Sequence, residues 1–501
     1  MPDRPTARQL IELVLDGGSF ASWDEPPRRE GPEAPDEAYA AQLARAQEKS
    51  GADEAVLTGR ARLDGHDVAV LVGEFGFLAG SIGRATARRI RAAIRRATAE
   101  GLPLLAAPVS GGTRMQEGVP AFVQMAPIVA ALAAHRAAGL PYLVWLRHPT
   151  TGGVMASWGS LGQMTAAEPE ALVGFLGPRV YEALHGETFP DGVQTGENLT
   201  RHGVIDGVLP AADLRSTASR VLSLLTQRVR PSDAGPLDLA DLAELAPEHG
   251  VPATHGETWE VIRRSRSAAH PGVRDLLAHA AEDTVLLGGT GEGERDPGVL
   301  IALTRIGGRS CVLVGHDRAA QAARGPFGPG GLRTARRGVR LATELRLPLV
   351  TVVDTGGAEL SVAAEQGAMA GEIARSLADL TTAPVPTVSV LLGQGNGGGA
   401  LALLPADRIV ATDAGWLSPL PPEGASVIVH RDTEHAAEMA HAQGVTAFAM
   451  SAAGLVDVLV PTQDTARQTV RLVAAVAARE IAHPEAADQA ERLSARLERF
   501  A

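Results

Sequence analysis

The stretch Ser110-Gly111-Gly112-Thr113-Arg114-Met115-Gln116-Glu117-Gly118 decides the fold. It follows the apolar run Leu102-Pro103-Leu104-Leu105-Ala106-Ala107-Pro108-Val109, which reads as a buried strand running into two glycines. Without a Cβ, the backbone N–H groups of such a turn can approach a ligand closely. The same form returns where Leu347-Pro348-Leu349-Val350-Thr351-Val352-Val353 runs into Asp354-Thr355-Gly356-Gly357.

Working outward, the recurrence extends over most of the chain. Pro348 lies 245 residues after Pro103, and Gly356 and Gly357 lie 245 after Gly111 and Gly112. Thr86-Ala87-Arg88-Arg89 returns 248 residues later at Thr334, Gly152 pairs with Gly398 at 246, and Gly203-Val204-Ile205-Asp206 returns 251 later at Gly454. Ordered matches at a nearly constant offset predict two homologous domains of alternating strand and helix. Each opens with a hairpin pattern, Val56–Leu63 with His66–Val72 around Asp64-Gly65, and Val299–Ile306 with Ser310–Val314 around Gly307-Gly308.

This divides the 501 residues into an extension (1–50), a first domain (51–229), a linker rich in Pro, Asp and Glu (230–256), a second domain (257–485) and a charged helical tail (486–501). The extension reads as an appendage to the core, and the tail as a solvated or partner-facing helix.

Composition excludes several classes. A net charge of -12 argues against a nucleic-acid surface. One cysteine, Cys311 in an apolar run, rules out an internal disulfide and a zinc ribbon and fits a reducing cytosol. No secretory signal is read at Met1-Pro2-Asp3-Arg4-Pro5, and the longest apolar region, Met125–Leu146, is broken by His135, Arg136, Gly139 and Pro141, so no membrane span is expected. The histidines show no H-x-x-x-H or H-E-x-x-H spacing, so no metal site is expected. Lys49 is the only lysine.

Four glycine turns can carry chemistry: Ser110 to Gly112, Thr150 to Ala156 with Gly152 and Gly153, Asp354 to Gly357, and Gly393 to Ala400 with Gly398 and Gly399. A helix starting at such a turn aims free N–H groups at developing negative charge, as an oxyanion hole requires. Gly393-Gln394-Gly395-Asn396-Gly397-Gly398, with Asp413 downstream, also satisfies a dinucleotide fingerprint. Its first-half counterpart keeps only the later glycine pair, so the shared element is the turn. No G-x-S-x-G elbow is present. Glu117 and Glu365 read as helix N-terminal carboxylates, and the arginines from Arg84 to Arg96 as a solvated helix face.

These residues resemble the carboxyltransferase component of biotin-dependent acyl-CoA carboxylases. The first half resembles the bacterial β-type subunit in Ala46–Gly51, Phe75–Gly83, Ser110–Gly118, Pro149–Ala156 and Gly177–Val180, and the second half resembles the α-type subunit in Trp259–Arg266, Gly315-His316, Asp354-Thr355, Glu365–Gly367, Gly393–Ala402 and Pro422–Gly424. The chain is thus similar to a fusion of the two, without the β-type zinc ribbon. The resemblance implies an α/β fold of two crotonase-like ββα-superhelix domains, with acyl-CoA held by the first, carboxybiotin by the second, and the site at a subunit interface of a homodimer or larger homo-oligomer. It implies that Gly111 and Gly112 offer N–H groups to the thioester oxygen and Gly399 and Ala400 to the biotin carbonyl. Ser81, Gly83, Ser110, Arg114, Gly152, Gly153, Gly356, Gly357 and Gly398 are then expected around the substrates.

It further implies a short acyl-CoA acceptor, no metal, and a reaction with no side-chain base. Lys49, in Glu48-Lys49-Ser50, lacks an A-M-K-M-like setting. Carboxybiotin is therefore expected on a separate biotin carboxyl carrier protein, charged by a biotin carboxylase. Asp354-Thr355-Gly356-Gly357-Ala358-Glu359-Leu360-Ser361 departs from the α-type D-T-P-G-A-Y-P-G. This leaves a malonyl- or methylmalonyl-type decarboxylase and a non-catalytic subunit as rival readings.

Overall fold

A computed structural model describes residues 4–28, 34–226, 250–485 and 488–500. The expected linker falls largely on 227–249, outside the described residues. The chain divides into two units, 1–225 with 291–293, and 226–290 with 294–501.

In the first unit, β1 (Val56–Leu63) and β2 (His66–Gly73) form an antiparallel hairpin. Its turn places Asp64 and Gly65 at positive φ, 46° and 81°, the backbone that a two-residue hairpin demands. Helix α1 (Arg84–Glu100) follows and ends on Gly101 at φ 68°, a left-handed C-cap that glycine adopts without strain. The chain then enters β3 (Leu104–Ala107), helix α2 (Met125–Ala137), β4 (Tyr142–Leu146) and β5 (Met164–Ala167). From β2 to β5 the strands pair in parallel. Their apolar residues are buried on both faces, as crossover helices require. Ile90 and Ile94 of α1 and Ile128 and Leu132 of α2 share a core with Leu71, Leu104 and Val144.

The second unit repeats the plan. An antiparallel hairpin of β6 (Val299–Ile306) and β7 (Arg309–His316) leads to helix α3 (Pro329–Leu345), β8 (Leu349–Thr355), β9 (Thr387–Asn396), the short helix α4 (Gly397–Leu401) and β10 (Arg408–Thr412). Strands β7 to β10 are parallel. Cys311, in the middle of β7, is fully buried, and burial pushes its thiol up to about 12. It is a packing residue. Among the described residues no single helix is long and apolar enough to cross a membrane.

Backbone conformation corrects one pairing. Gly152 has φ 62° and Gly397 has φ 69°, so Gly397, not Gly398, is the counterpart of Gly152, at the same 245-residue offset as the first turns. Three successive glycines hide that register from a comparison of letters.

The first and last helices of the described residues are built into the fold. Helix Ala7–Val14 buries Ala7, Leu10, Ile11 and Val14, and the Ala7 N–H donates to Glu74 at 2.8 Å. Ala21–Ser22 adds an edge strand to β1. The extension is therefore part of the first domain, because its amphipathic helix finds a partner surface that local sequence does not announce. Likewise helix α5 (Gln489–Glu498) is docked through Arg496, which is 1% exposed. Arg496 donates to Asp407 at 2.7 Å and to the carbonyls of Leu380 and Ala383. Arg496→Ala removes the buried cation shared by these acceptors and is expected to destabilise the fold by about 3 kcal/mol. Denaturant unfolding measures it.

Candidate functional site

The first glycine turn is fixed by a hydroxyl. Ser110, fully buried, accepts the Gly112 N–H on its Oγ at 3.0 Å. Gly112 sits at φ 121°, a conformation open to glycine. The Gly111 N–H donates to the Ala79 carbonyl at 2.9 Å. Both amides expected to face a thioester oxygen are thus engaged within the chain, so this turn acts as a platform.

What it supports is the second turn. Ser110 donates its N–H to the Pro149 carbonyl at 2.7 Å and accepts from the Thr151 N–H at 3.0 Å, and a Cβ on Gly152 would stand 3.3 Å from the Gly112 Cα. The Gly152 N–H is taken by the Phe175 carbonyl at 3.0 Å, while the Gly152 carbonyl accepts from Ala156 and opens a helical turn. Gly153 heads that turn, and its N–H has no acceptor among the described residues. The first turn of a helix leaves N–H groups open. An N–H left open thus stands one strand over from Gly111 and Gly112, at Gly153.

Arg114, expected at the substrate, is fully buried. Its guanidinium donates to Glu54 at 2.9 Å and 3.2 Å, to the Ser81 carbonyl at 2.8 Å and to Thr86 at 3.2 Å. It also lies over the Phe77 ring at 5.3 Å. Ser81 turns its Oγ to the Leu78 carbonyl at 2.7 Å. Gly83 is needed for close approach, since a Cβ there would come within 2.3 Å of Glu117 Oε1 and 2.7 Å of Arg114 Nη1. Glu117 accepts from the Arg84 N–H at 2.7 Å and from Tyr39 Oη at 2.6 Å, so it is a helix N-terminal carboxylate as expected, serving α1. The arginine face is only partly solvated, because Arg89 is 8% exposed and bonded to Asp53 at 2.8 Å. These residues hold the loops of the first domain in place.

The second domain repeats the device. Thr355 Oγ1 accepts the Gly357 N–H at 3.1 Å, Gly357 sits at φ 124°, and Asn396 donates to the Gly356 carbonyl at 2.7 Å. Helix α4 follows with no side-chain cap on its leading N–H groups. Gly399 and Ala400 are buried. A Cβ on Gly399 would lie 2.7 Å from Phe327 and 3.2 Å from the Ala358 Cβ, and one on Gly398 would lie 2.9 Å from Ile373. Gly393 and Gly395 belong to strand β9. Asp413 is bonded to Arg264 at 2.7 Å and to the Thr462 N–H at 3.0 Å. The dinucleotide fingerprint is therefore a strand with a structural ion pair behind it.

Beneath this turn lies a buried polar group that sequence reading missed. Asp354, fully buried, accepts from the Gln394 N–H at 3.0 Å and has Arg318 3.6 Å from its other oxygen. Burial pushes its carboxyl up to about 6, against the pull of Arg318. His270 donates from Nε2 to the Leu392 carbonyl at 2.8 Å, and burial holds its pKa down at about 4.

The carboxyl transferase domain profile matches residues 3–500. The chain belongs to the carboxyl transferase family. The carboxyltransferase is 53% identical over 502 residues to the probable biotin-dependent acyl-coenzyme A carboxylase beta3 subunit of Mycobacterium tuberculosis (strain ATCC 25618 / H37Rv), covering 99% of this chain and 98% of that one. It is 36% identical to the acetyl-coenzyme A carboxylase carboxyl transferase subunits beta/alpha of Parafrankia sp. (strain EAN1pec), over 92% of this chain and 79% of that protein. The crystal structure of transcarboxylase 12S superposes with a TM-score of 0.75 at 22% identity, over 96% of this chain and 90% of that one. The fold is accordingly the crotonase-like one expected of the carboxyltransferase.

Two stability predictions follow from the geometry. Arg114→Met removes the two-point guanidinium contact with buried Glu54 and is expected to cost about 3 kcal/mol or more, read by chemical denaturation. Asp354, with its folded pKa above its unfolded one, contributes stability in full below about 4 that is lost as pH rises through about 6. Asp354→Asn removes that dependence, so melting curves of the two proteins should diverge in favour of the variant between pH 4 and 7, by up to about 3 kcal/mol.

Proposed function

We propose that this carboxyltransferase moves a carboxyl group from carboxybiotin, brought on a separate carrier protein charged by a biotin carboxylase, to the α-carbon of a short acyl-CoA. Acetyl-CoA would give malonyl-CoA, or propionyl-CoA methylmalonyl-CoA. The names of the 53%- and 36%-identical relatives support this substrate class. The observation that carries the chemistry is the matched pair of hydroxyl-fixed glycine turns, each followed by a helical turn with open N–H groups.

In this reading the thioester oxygen sits on the Gly153 and Val154 N–H groups, which stabilise the enolate formed when the α-proton leaves. Gly399 and Ala400 present their N–H groups to the ureido carbonyl, where the tight fit of Gly399 against Phe327 suits a ring that must reach the backbone. Carboxybiotin supplies CO2 and a ureido nitrogen that takes the α-proton. The protein then needs only to orient the two partners and stabilise charge on two oxygens, with no side-chain base.

Large apolar side chains stand exposed beside both sites: Met115, Val119, Phe122 and Phe175 in the first domain, Leu360, Val362 and Leu401 in the second. Patches of this kind mark protein interfaces, and Met115 and Leu360 occupy equivalent positions, 245 residues apart. We assign them to contacts between copies in a homodimer or larger homo-oligomer. Phe122→Asp is expected to lower the mass seen by light scattering and reduce turnover with it.

The deciding assay is the reverse reaction, with malonyl-CoA or methylmalonyl-CoA and soluble biotin. Biotin-dependent acyl-CoA formation is expected. Gly153→Val and Gly399→Val should lower it by about 100-fold. Gly111→Ala, where a Cβ meets nothing closer than 3.6 Å, should retain it. Turnover without biotin would instead indicate a decarboxylase, and a folded protein inactive on both substrates a non-catalytic subunit.

A further inference from the structure

Between β4 and the open Gly153 N–H the chain runs Arg147-His148-Pro149-Thr150-Thr151-Gly152, and a second segment, Leu172–Phe175, lies alongside it. Thr150 and Thr151 pair in parallel with Val173 and Gly174. The Thr150 N–H donates to the Leu172 carbonyl at 2.9 Å, and the Gly152 N–H to the Phe175 carbonyl at 3.0 Å. A side chain closes this short ladder at its start, since the Leu172 N–H donates to His148 Nδ1 at 3.0 Å. A backbone N–H has only a proton to give, so Nδ1 is the acceptor and the neutral ring carries its proton on Nε2. His148 is also held through its backbone. Its N–H donates to the buried Glu168 at 2.9 Å, and Arg4 stands 3.6 Å from the same carboxylate oxygen.

The imidazole thus joins two segments, the one that leads into Gly153 and the one that takes the Gly152 N–H. We propose that His148, as the neutral Nε2–H tautomer, is a positioning residue that holds Leu172–Phe175 against Thr150–Gly152 and so fixes the direction of the open Gly153 N–H. This rests on the carboxyl transfer reading above and adds to it the side chain that aims the first-domain donor.

The second domain does without this side chain. At the 245-residue offset His148 corresponds to Gly393, where a Cβ would come within 2.7 Å of Asp354 Oδ1 and 3.0 Å of His270 Nε2. The imidazole is therefore a device of the first domain alone, and it gives that domain a pH dependence of one sign. A protonated ring carries N–H on both nitrogens and cannot accept from Leu172. The charged groups that face the ring are Arg4 from the N-terminal segment and Glu168 from the end of β5, with Arg147 beside it in the chain. Partial burial and then Arg4 hold its pKa below the usual histidine value of 6.5, against the pull of Glu168. The bond is present at neutral pH and is lost as pH falls through that lowered value.

The test compares His148→Leu, which cannot accept, with His148→Asn, whose Oδ1 stands where Nδ1 stood and does not titrate. Both are assayed in the biotin-dependent reverse reaction from about pH 5 to 8, with thermal melting to confirm folding. The Leu variant is expected to lose about tenfold or more in kcat at neutral pH, with the KM for the acyl-CoA changed much less. The Asn variant should keep most of the activity and lose less of it on acidification than the wild type. A folded Leu variant with wild-type kcat, an Asn variant no better than Leu, or the same acid loss in Asn variant and wild type overturns the proposal. Independently, hydrogen exchange in the peptide from Leu172 to Phe175 should be faster in the Leu variant than in the other two proteins, and equal exchange in all three overturns it as well. Absence of biotin-dependent turnover in the wild type overturns the carboxyl transfer reading and the proposal with it, whereas wild-type turnover left intact by His148→Leu overturns the proposal alone.

Discussion

A hydroxyl accepting the N–H two residues ahead holds each half of this protein in working order. Ser110 does it for Gly112 and Thr355 for Gly357, at 3.0 and 3.1 Å. The bond closes a turn that only glycine can make at φ near 120°. It also satisfies an amide that would otherwise lie buried and unpaired. Because β3 is ended in this way, the next strand over can deliver its own glycines against the turn, as the contact between Gly152 and Gly112 records. Gly152 and Gly153 are thus the second tier of a two-tier construction.

The two domains support this construction by different means. The first surrounds it with charge: Arg114, Glu54, Glu117 and Tyr39 tie the loops to α1 and to the helix Glu37–Ser50. A buried network of this kind contributes little net stability, yet breaking one member is costly. It therefore constrains geometry more than it adds to the total. The second uses a sparser set, Asp354, His316, His270 and Arg318, of which burial keeps the two imidazoles neutral. Neutral groups in a dry interior can direct a backbone without placing a charge beside a developing oxyanion.

The duplication was legible because strand, turn and helix repeat in order, and an offset of 245 joins Gly112 to Gly357 and Gly152 to Gly397, where the backbone needs glycine. The slip at Gly398 came from three adjacent glycines that offer the eye two registers, whereas φ at Gly152 and Gly397 allows one. The partners of Gly111 and Gly112 were not legible, since nothing in the letters says that Ala79 and Ser110 accept their N–H groups. Arg114 looked like a ligand contact because its partner Glu54 lies 60 residues away. The N-terminal helix and the tail were misread for the same reason: amphipathicity shows that a helix has a partner without showing where. In each case the missing information was a contact between distant segments.

The helix Glu37–Ser50 carries Lys49, exposed in its last turn, and Tyr39, bonded to Glu117 in its first. Since the chain has one lysine and 14 histidines against a large excess of arginine, an amine-directed reagent meets a single side chain. That side chain stands on the same rigid rod as the hydroxyl that reaches into the first-domain loops. A fluorophore or tether placed there needs no engineered residue, and it would register any shift of those loops as a change in the rod's own surroundings.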